Sequence, residues 1–368
     1  SEATAAFGNG AVYVERIVAA PRHIEIQVVA DAEGRVLTLG ERECSLQRRH
    51  QKLVEIAPSP ALDDALRARL ADAAATLARA AAYRGIGTFE FLVADGGDGG
   101  PSFWFMEANP RLQVEHTVTE MVTGVDLVQT QLAIAAGARL ADLGLEQAPA
   151  PRGIAVQLRI NAEHLDAQGQ LRPASGTLTA FEPPNGPGVR VDSAGFAGMT
   201  ANPRFDSLLA KLIVHEPGGD FARALAIAYR ALCEFRIEGI DTNRRLLQDL
   251  LQLDDVLRNA VHTQYLDQAV AALAAADADH PVLHAPPGLA DSAPADEHNA
   301  LTDVPDDAIA VPAPMDGVLA AIHVRAGDTV RRGQPLAIIE AMKMEHPLEA
   351  PAAGTVLRVL AVAGATLR

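Results

Sequence analysis

Apolar and polar positions along the chain change period several times, and each change marks an expected element. Residues 1–6 read as the end of a polar helix, and Val12-Tyr13-Val14-Glu15-Arg16-Ile17-Val18 is a β-rich run. From Pro21 to Ala30 the two classes alternate, which predicts a half-buried strand. Asp31-Ala32-Glu33-Gly34 predicts a turn, with Val36-Leu37-Thr38-Leu39 pairing back. The period then lengthens. Leu62, Leu66, Leu70 and Leu77 fall near one face, predicting a helix to Tyr83, with Asp63 and Asp64 at the positive end of its dipole. Gly87–Val93 and Phe103–Glu107 read as two strands around Gly96-Gly97-Asp98-Gly99-Gly100. No lysine follows that glycine cluster and both its flanks are strands, so it is a hairpin tip rather than a phosphate loop. A helix is expected up to Gly137, a connector at Gln147–Pro151, a new segment from Gly153 to Ile160, and helices at about 220–233 and 242–252. Residues 275–308, rich in Ala, Asp and Pro, read as a flexible linker.

The last 60 residues contain a repeat. Ala313-Pro314-Met315-Asp316-Gly317 aligns with Ala350-Pro351-Ala352-Ala353-Gly354, and the same offset carries Gly327 onto Gly364 and Thr329 onto Thr366. Two copies of one small β-unit are expected. Between them stands Glu340-Ala341-Met342-Lys343-Met344-Glu345-His346, a lysine between two methionines at the tip of a tight hairpin. A surface lysine is ordinarily just solvated. Two methionines beside an exposed lysine waste apolar area unless something reads them.

Composition narrows the field. At 368 residues the chain is long enough for two or three domains. A net charge of −16 disfavours nucleic acid and anionic membrane as partners, without excluding a local basic cleft for phosphates. Two cysteines, Cys44 and Cys233, give no disulfide framework and suit a reducing cytoplasm. No apolar run approaches the length of a membrane span.

Two segments carry candidate chemistry. Glu41 to Lys52 is dense in charge; such runs are usually solvated loops, but this one lies between strands and mixes His, Gln and Lys with arginines, which suits polyphosphate and small anions. Glu90 and Glu107, on adjacent strands, with Asn109 two residues on, form a hard-oxygen set suited to Mg²⁺; by themselves they are equally a pair of solvated glutamates.

The resemblance decides between these readings. Phe105-Met106-Glu107-Ala108-Asn109-Pro110-Arg111-Leu112-Gln113-Val114-Glu115-His116 resembles the metal and bicarbonate segment of the ATP-grasp biotin carboxylases. Gln47-Arg48-Arg49-His50-Gln51-Lys52 is similar to a second signature of that family, and Val14–Val18 with His23 to its adenine-side hinge. The similarity runs nearly unbroken from Ser1 to about Leu266. The Ala-Met-Lys-Met hairpin resembles the biotinyl carrier domain of biotin-dependent carboxylases; lipoyl carriers share that fold but usually lack the paired methionines. The resemblance implies an α+β chain: an ATP-grasp biotin carboxylase core followed by an all-β biotinyl/lipoyl-like barrel. The expected divisions are 1–150 (partial ATP-grasp), 151–268 (C-terminal subdomain), 269–308 (linker) and 309–368 (carrier).

The resemblance also implies roles. Biotin would be carried on Lys343, with ATP and Mg²⁺ (or Mn²⁺) as further requirements. Glu115 would be the general base on bicarbonate, with Lys52, Arg111, Gln113 and the Val114 backbone completing that pocket. Glu90 and Glu107 would hold the metal, assisted by Asn109. Glu15, Arg16, Val18, His23, Gln47 and His50 would join those two glutamates at the nucleotide, and Arg190 would steady the biotin anion. Arg16 and Val18 stand where the family frequently has lysine and leucine. The family's preceding domain and glycine-rich lid are expected before Ser1, and a final strand of about eight residues is expected after Arg368 from the internal alignment. On that expectation this chain alone is weakly active or inactive, and a non-catalytic biotinylated carrier or another ATP-grasp ligase stand as alternatives. The implied partners are a biotin ligase, a carboxyltransferase domain or subunit, and further copies of the chain. A carrier directly after the carboxylase resembles the acyl-CoA carboxylases in order.

Overall fold

The computed structural model describes residues 2–96, 100–166, 170–202, 204–275, 279–284, 305, 308–341 and 344–367. A short helix, α1 (Glu2–Phe7), opens the chain. Residues 9–18 then run as irregular, exposed backbone, with Val12, Tyr13, Val14 and Ile17 each more than four-fifths exposed. The strand expected from that β-rich run is thus absent. Its apolar residues are consecutive rather than alternating, so a strand there would have no single apolar face to bury.

Strands β1 (Arg22–Ala30), β2 (Val36–Arg48) and β3 (Gln51–Ala57) form an antiparallel meander. The alternation in β1 is present, but the strand is not half-buried. Ile24, Ile26 and Val28 pack beneath α2 (Asp64–Ala80), while His23, Glu25 and Gln27 are buried on the opposite face. The charge-dense run is likewise not a loop. It is the second half of β2, the turn at Arg49 and His50, and the start of β3. Asp63 caps α2, accepting from the Leu66 N–H at 2.7 Å, and Leu66 and Leu70 bury its inner face.

Strands β4 (Gly85–Asp95) and β5 (Pro101–Asn109) form the next hairpin. Residues 97–99 of its expected tip lie outside the described residues; the Gly96 N–H donates to the Gly100 carbonyl at 3.0 Å across it. Two helices follow, α3 (His116–Thr123) and α4 (Leu127–Ala135), then a 3₁₀ turn at Leu140–Leu143. Only the second of these helices was legible from periodicity.

The chain continues through β6 (Ile154–Asn161), the small β7 (Glu163–Leu165) and β8 (Leu171–Pro173) pair, β9 (Gly176–Thr177) and β10 (Ala180–Glu182). Next come β11 (Val189–Ser193), β12 (Thr200–Ala201) and β13 (Leu208–Glu216). Helix α5 (Phe221–Glu234), β14 (Arg236–Glu238), α6 (Arg244–Leu250), α7 (Asp254–Leu257) and α8 (Tyr265–Ala275) complete this part. One eight-stranded sheet, ordered β11-β13-β6-β3-β2-β1-β4-β5, runs across the connector at 147–151. Gly188 lets β11 lie against β13: its φ is +75°, and a Cβ there would meet the His215 carbonyl oxygen at 2.4 Å. Residues 269–275 belong to α8, so the expected linker does not begin at 269. Most of the expected linker, including 285–304, lies outside the described residues.

The last 60 residues form the small β-structure that the repeat predicts. Its strands are β15 (Gly317–Ile322), β16 (Thr329–Val330), β17 (Pro335–Ala341), β18 (Met344–Glu349), β19 (Gly354–Thr355) and β20 (Thr366–Leu367). The repeat offset places β15 on β19 and β16 on β20, yet β15 pairs with β20 and β16 with β19. Each copy therefore hydrogen-bonds to the other. Among the described residues, no helix is long and apolar enough to cross a membrane.

Candidate active site

Strands β1 to β6 turn a row of ionisable residues toward one face of the sheet, and a buried charge network results. Glu25 lies at its centre, with no exposed surface. Its Oε1 accepts from Arg42 Nε at 2.5 Å and its Oε2 from Lys52 Nζ at 2.6 Å. Lys52 also donates to Glu115 Oε1 at 2.6 Å and lies 3.7 Å from Glu90. The second oxygen of Glu115 accepts from Arg159 Nη2 at 3.1 Å, and Arg159 Nε donates to Glu55 at 2.5 Å. A buried carboxylate is stable only when its lone pairs meet such donors. Arg42 spends all five of its N–H donors here, on Glu25, Gln27, Thr119, Thr88 and Gln113.

The charges follow from these contacts. Burial pushes the Glu25 carboxyl up, but Arg42 and Lys52 outweigh it and hold the group down at about 2. Glu90 is also held at about 2: burial is opposed by the His23 hydrogen bond and the Lys52 charge. Burial would lower the Lys52 ammonium; the Cys44 sulfur and the Glu25 and Glu115 carboxylates reverse this and raise it. Glu55 is the exception, since burial there exceeds what Arg159 returns and the carboxyl is pushed up.

Next to the network lies a cavity of about 230 Å³, walled by His50, Lys52, Arg111, Gln113, Glu115 and Arg159, with Val114 beside them. Arg111 is exposed and Glu115 buried. Gln113 is fixed at both ends of its amide: Nε2 donates to Glu90 Oε1 at 2.7 Å, and Oε1 takes Arg42. Gln47 Nε2 stands 3.3 Å from His23 Nδ1, leaving His23 Nε2–H to donate to Glu90 at 2.6 Å.

The three residues expected to hold a metal are drawn together by strand register. Glu90 and Glu107 are ladder partners on β4 and β5, and Asn109 Nδ2 donates to one oxygen of each, at 2.6 Å and 2.9 Å. The amide nitrogen thus ties the two carboxylates together, and the same two groups could hold a cation. Half a turn of that amide would present its oxygen instead, so the donor set fits a hard divalent ion.

Arg190 is not among the residues lining the cavity. It is clamped by Asp192 at 2.8 Å and by Glu120 of α3 at 2.8 Å. Asp192 also pairs with Lys211 at 3.3 Å, and Lys211 Nζ donates to the Val114 carbonyl at 3.0 Å. That chain of contacts ties Arg190 to the cavity wall. Glu15, Arg16 and Val18 lie in the irregular segment at 9–18; Arg16 sits over the Trp104 ring, 5.6 Å from its centroid, and none of the three reaches the cavity. Lys343 and Met342 lie outside the described residues. Sequence reasoning gave no role to Glu25, Arg159 or Lys211, and took Arg42 only as one member of the charge-dense run; Arg159 and Lys211 stand out as charged residues in mostly apolar strands, and that was the available signal.

Comparison with known proteins gives the same answer in three places. Residues 1–143 match the family described as carbamoyl-phosphate synthase L chain, ATP binding domain; residues 157–268 match the biotin carboxylase C-terminal domain; and residues 309–368 match the family described as biotin-requiring enzyme. The chain is built of biotin carboxylase and biotin-lipoyl domains. It is 39% identical, over its whole length, to the biotin-dependent acyl-coenzyme A carboxylase alpha3 subunit of Mycobacterium leprae (strain TN), covering 66% of that protein. To the biotin carboxylase of Nostoc sp. it is 47% identical over 73% of this chain and 58% of the relative. Among solved structures, a single-chain, multi-domain long-chain acyl-CoA carboxylase matches 97% of this chain and 36% of its own, with a TM-score of 0.68 and 39% identity. The biotin carboxylase domain of a thermophilic 2-oxoglutarate carboxylase, solved with bicarbonate, matches 74% of this chain and 59% of its own, with a TM-score of 0.67 and 38% identity. The chain therefore spans 66% or less of the length of each of these relatives.

Proposed function

We propose that this chain uses ATP and bicarbonate to carboxylate biotin carried on Lys343, as the first half-reaction of an acyl-CoA carboxylase. One observation carries the reading: Glu115, buried at the wall of the cavity, is held by Lys52 at 2.6 Å and Arg159 at 3.1 Å, with Arg111 and Gln113 beside it. That cavity offers an anion cationic partners and places a carboxylate acceptor next to it.

An entering bicarbonate shares Lys52 with Glu115 and takes Arg111 as a second cation, and Gln113 and the Val114 backbone set its orientation. Glu115 takes the bicarbonate proton as the oxygen attacks the terminal phosphate of ATP and ADP leaves. His23, Gln47 and His50 line the nucleotide side, with Glu15, Arg16 and Val18 assigned to the adenine. Glu90, Glu107 and Asn109 are the residues that would hold Mg²⁺ or Mn²⁺, which shields the phosphate charges when bound. The carboxyphosphate so formed would break down to CO₂ and phosphate; biotin, when attached, would supply the ureido nitrogen that takes the CO₂, its N–H proton passing to that phosphate. Arg190, oriented by Asp192 and Glu120, offers a guanidinium to the developing anion.

The proposal extends to a biotin ligase that loads Lys343, a carboxyltransferase that selects the acyl acceptor, assembly with further copies of the chain, and a cytoplasmic location that suits the two free, buried cysteines. The test supplies the chain with biotin ligase and then with ATP, Mg²⁺ and labelled bicarbonate. A mass increase of one biotin amide, and label on the protein that Lys343→Arg abolishes, are the expected results. Biotin without ATP-dependent label, in the chain joined to the preceding domain and glycine-rich lid that the family supplies, would leave a passive carrier and overturn the carboxylase reading.

A further inference from the structure

The carrier rests against the carboxylase through contacts that none of the roles above uses. Asp316, in the turn before β15, accepts from the Ser175 backbone N–H at 2.8 Å and from the Ser175 hydroxyl at 2.5 Å. Arg204 Nη2 donates to the Gly364 carbonyl at 2.8 Å. Beside these contacts a small pocket of about 30 Å³ has Arg49, Leu171 and Arg172 on one side and Met315, Met344 and His346 on the other. A carboxylate taking two hydrogen bonds from one residue is a directional contact, stronger than a neutral pair.

The position of this contact carries the argument. Arg49 and His50 form the β2–β3 turn, both with positive φ (47° and 65°). Arg49 lines the carrier pocket while His50, one residue on, lines the catalytic cavity. On the carrier side Ala341 and Met344, which bracket the attachment position in sequence, both line the pocket. One turn of the carboxylase thus separates the catalytic cavity from the hairpin of the carrier. Arg49 is itself steadied by donating to the Gln170 side-chain oxygen.

Arg49 and Arg172 meet the hairpin through Ala341, Met344 and His346, while Glu340 and Glu345 are ladder partners one rung on and point to its other face. Burial, with Arg172 and Arg49, holds His346 below its ordinary value, in keeping with a neutral ring against two cations.

We infer that Ser175 and Asp316 are a latch, and that Arg49 and Arg172 seat the hairpin, so that this face is where the carrier stops to have its biotin carboxylated. The inference rests on the catalytic reading above, and its test separates the two. In the full chain, Ser175→Cys paired with Asp316→Cys should form an intramolecular disulfide about tenfold faster than Ser175→Cys paired with Asp328→Cys, which lies in another carrier loop; proximity in the dock raises the effective concentration. Equal rates would overturn the dock whether or not the chain is active. In the second arm, Asp316→Ala and Ser175→Ala are each loaded with biotin, as verified by mass. Each should carboxylate Lys343-bound biotin about tenfold more slowly, the loss expected from a charge-assisted hydrogen bond, with free-biotin carboxylation unchanged. Wild-type rates on bound biotin in both variants would overturn the latch. Absence of free-biotin carboxylation in every form, the parent included, with the family's preceding domain and glycine-rich lid joined to the chain, would defeat the catalytic reading and leave the disulfide to decide the dock.

Discussion

At the scale of single residues, the site is a balance of buried charges, and its variants should separate chemistry from stability. Glu115→Gln keeps the shape of the side chain and removes the proposed proton acceptor. It should slow bicarbonate-dependent biotin carboxylation by about 10²–10⁴-fold, and lower the thermal midpoint less than Arg42→Met does, because Lys52 keeps Glu25 and Arg159 keeps Glu55. Arg42→Met should do the opposite kind of damage. It leaves Glu25 buried with Lys52 alone, and a broken buried pair costs about 3–5 kcal/mol, to be read from urea unfolding. The residues brought to the cavity by the fold (Lys52, Arg111, Gln113, Val114, Glu115, His50) were visible as a motif. Glu25 and Arg159 were not, because a polar residue in an alternating strand ordinarily faces water, and Arg42 was seen only as part of a charge-dense run. Nothing local in the sequence announces that the second face of β1 is covered.

At the scale of elements, period was a good guide where one face meets solvent. Helix α2 was legible from its leucines and its two opening aspartates, and the cap is real. Asp63→Ala should lower stability by about 1 kcal/mol, measured by denaturant unfolding. Helix α3 was missed because its residues are buried nearly all round, from His116 to Thr119 and again at Val122 and Thr123, so no amphipathic stripe marks it. The run at 12–18 failed for the converse reason: strong β propensity without a paired edge does not make a strand. Lys211 couples two elements by holding the Val114 carbonyl from β13. Lys211→Met should raise KM for bicarbonate more than it lowers kcat, because it loosens the wall of the pocket without touching the proton acceptor.

At the scale of the molecule, one sheet and one small barrel should behave as separate cooperative units. The eight strands joined from β5 to β11 share their hydrogen bonds across the 147–151 connector, so residues 22–268 should unfold in a single calorimetric transition, distinct from that of the carrier. Acid should reach the first unit through its carboxylates. Glu25 and Glu90 titrate at about 2 in the folded chain against 4.5 when unperturbed, so the unfolded chain takes up protons first. Their contribution is complete above pH 4.5 and is lost as pH falls from there to about 2. Glu55 has the opposite sign, with its window above 4.5. Urea midpoints should therefore fall through that acid range, and Glu90→Gln should flatten the fall.

The crossed pairing of the carrier repeats bears on the order of events during synthesis. Gly317 pairs with Leu367 and Val330 with Gly354, so the scaffold on either side of the Lys343 hairpin is closed only by residues made after it. The lysine leaves the ribosome before the strands that complete its setting exist. An enzyme that reads the finished hairpin finds nothing to modify until translation has passed residue 367. On the proposed function, attachment at Lys343 should then mark only chains whose last strands have reached their partners.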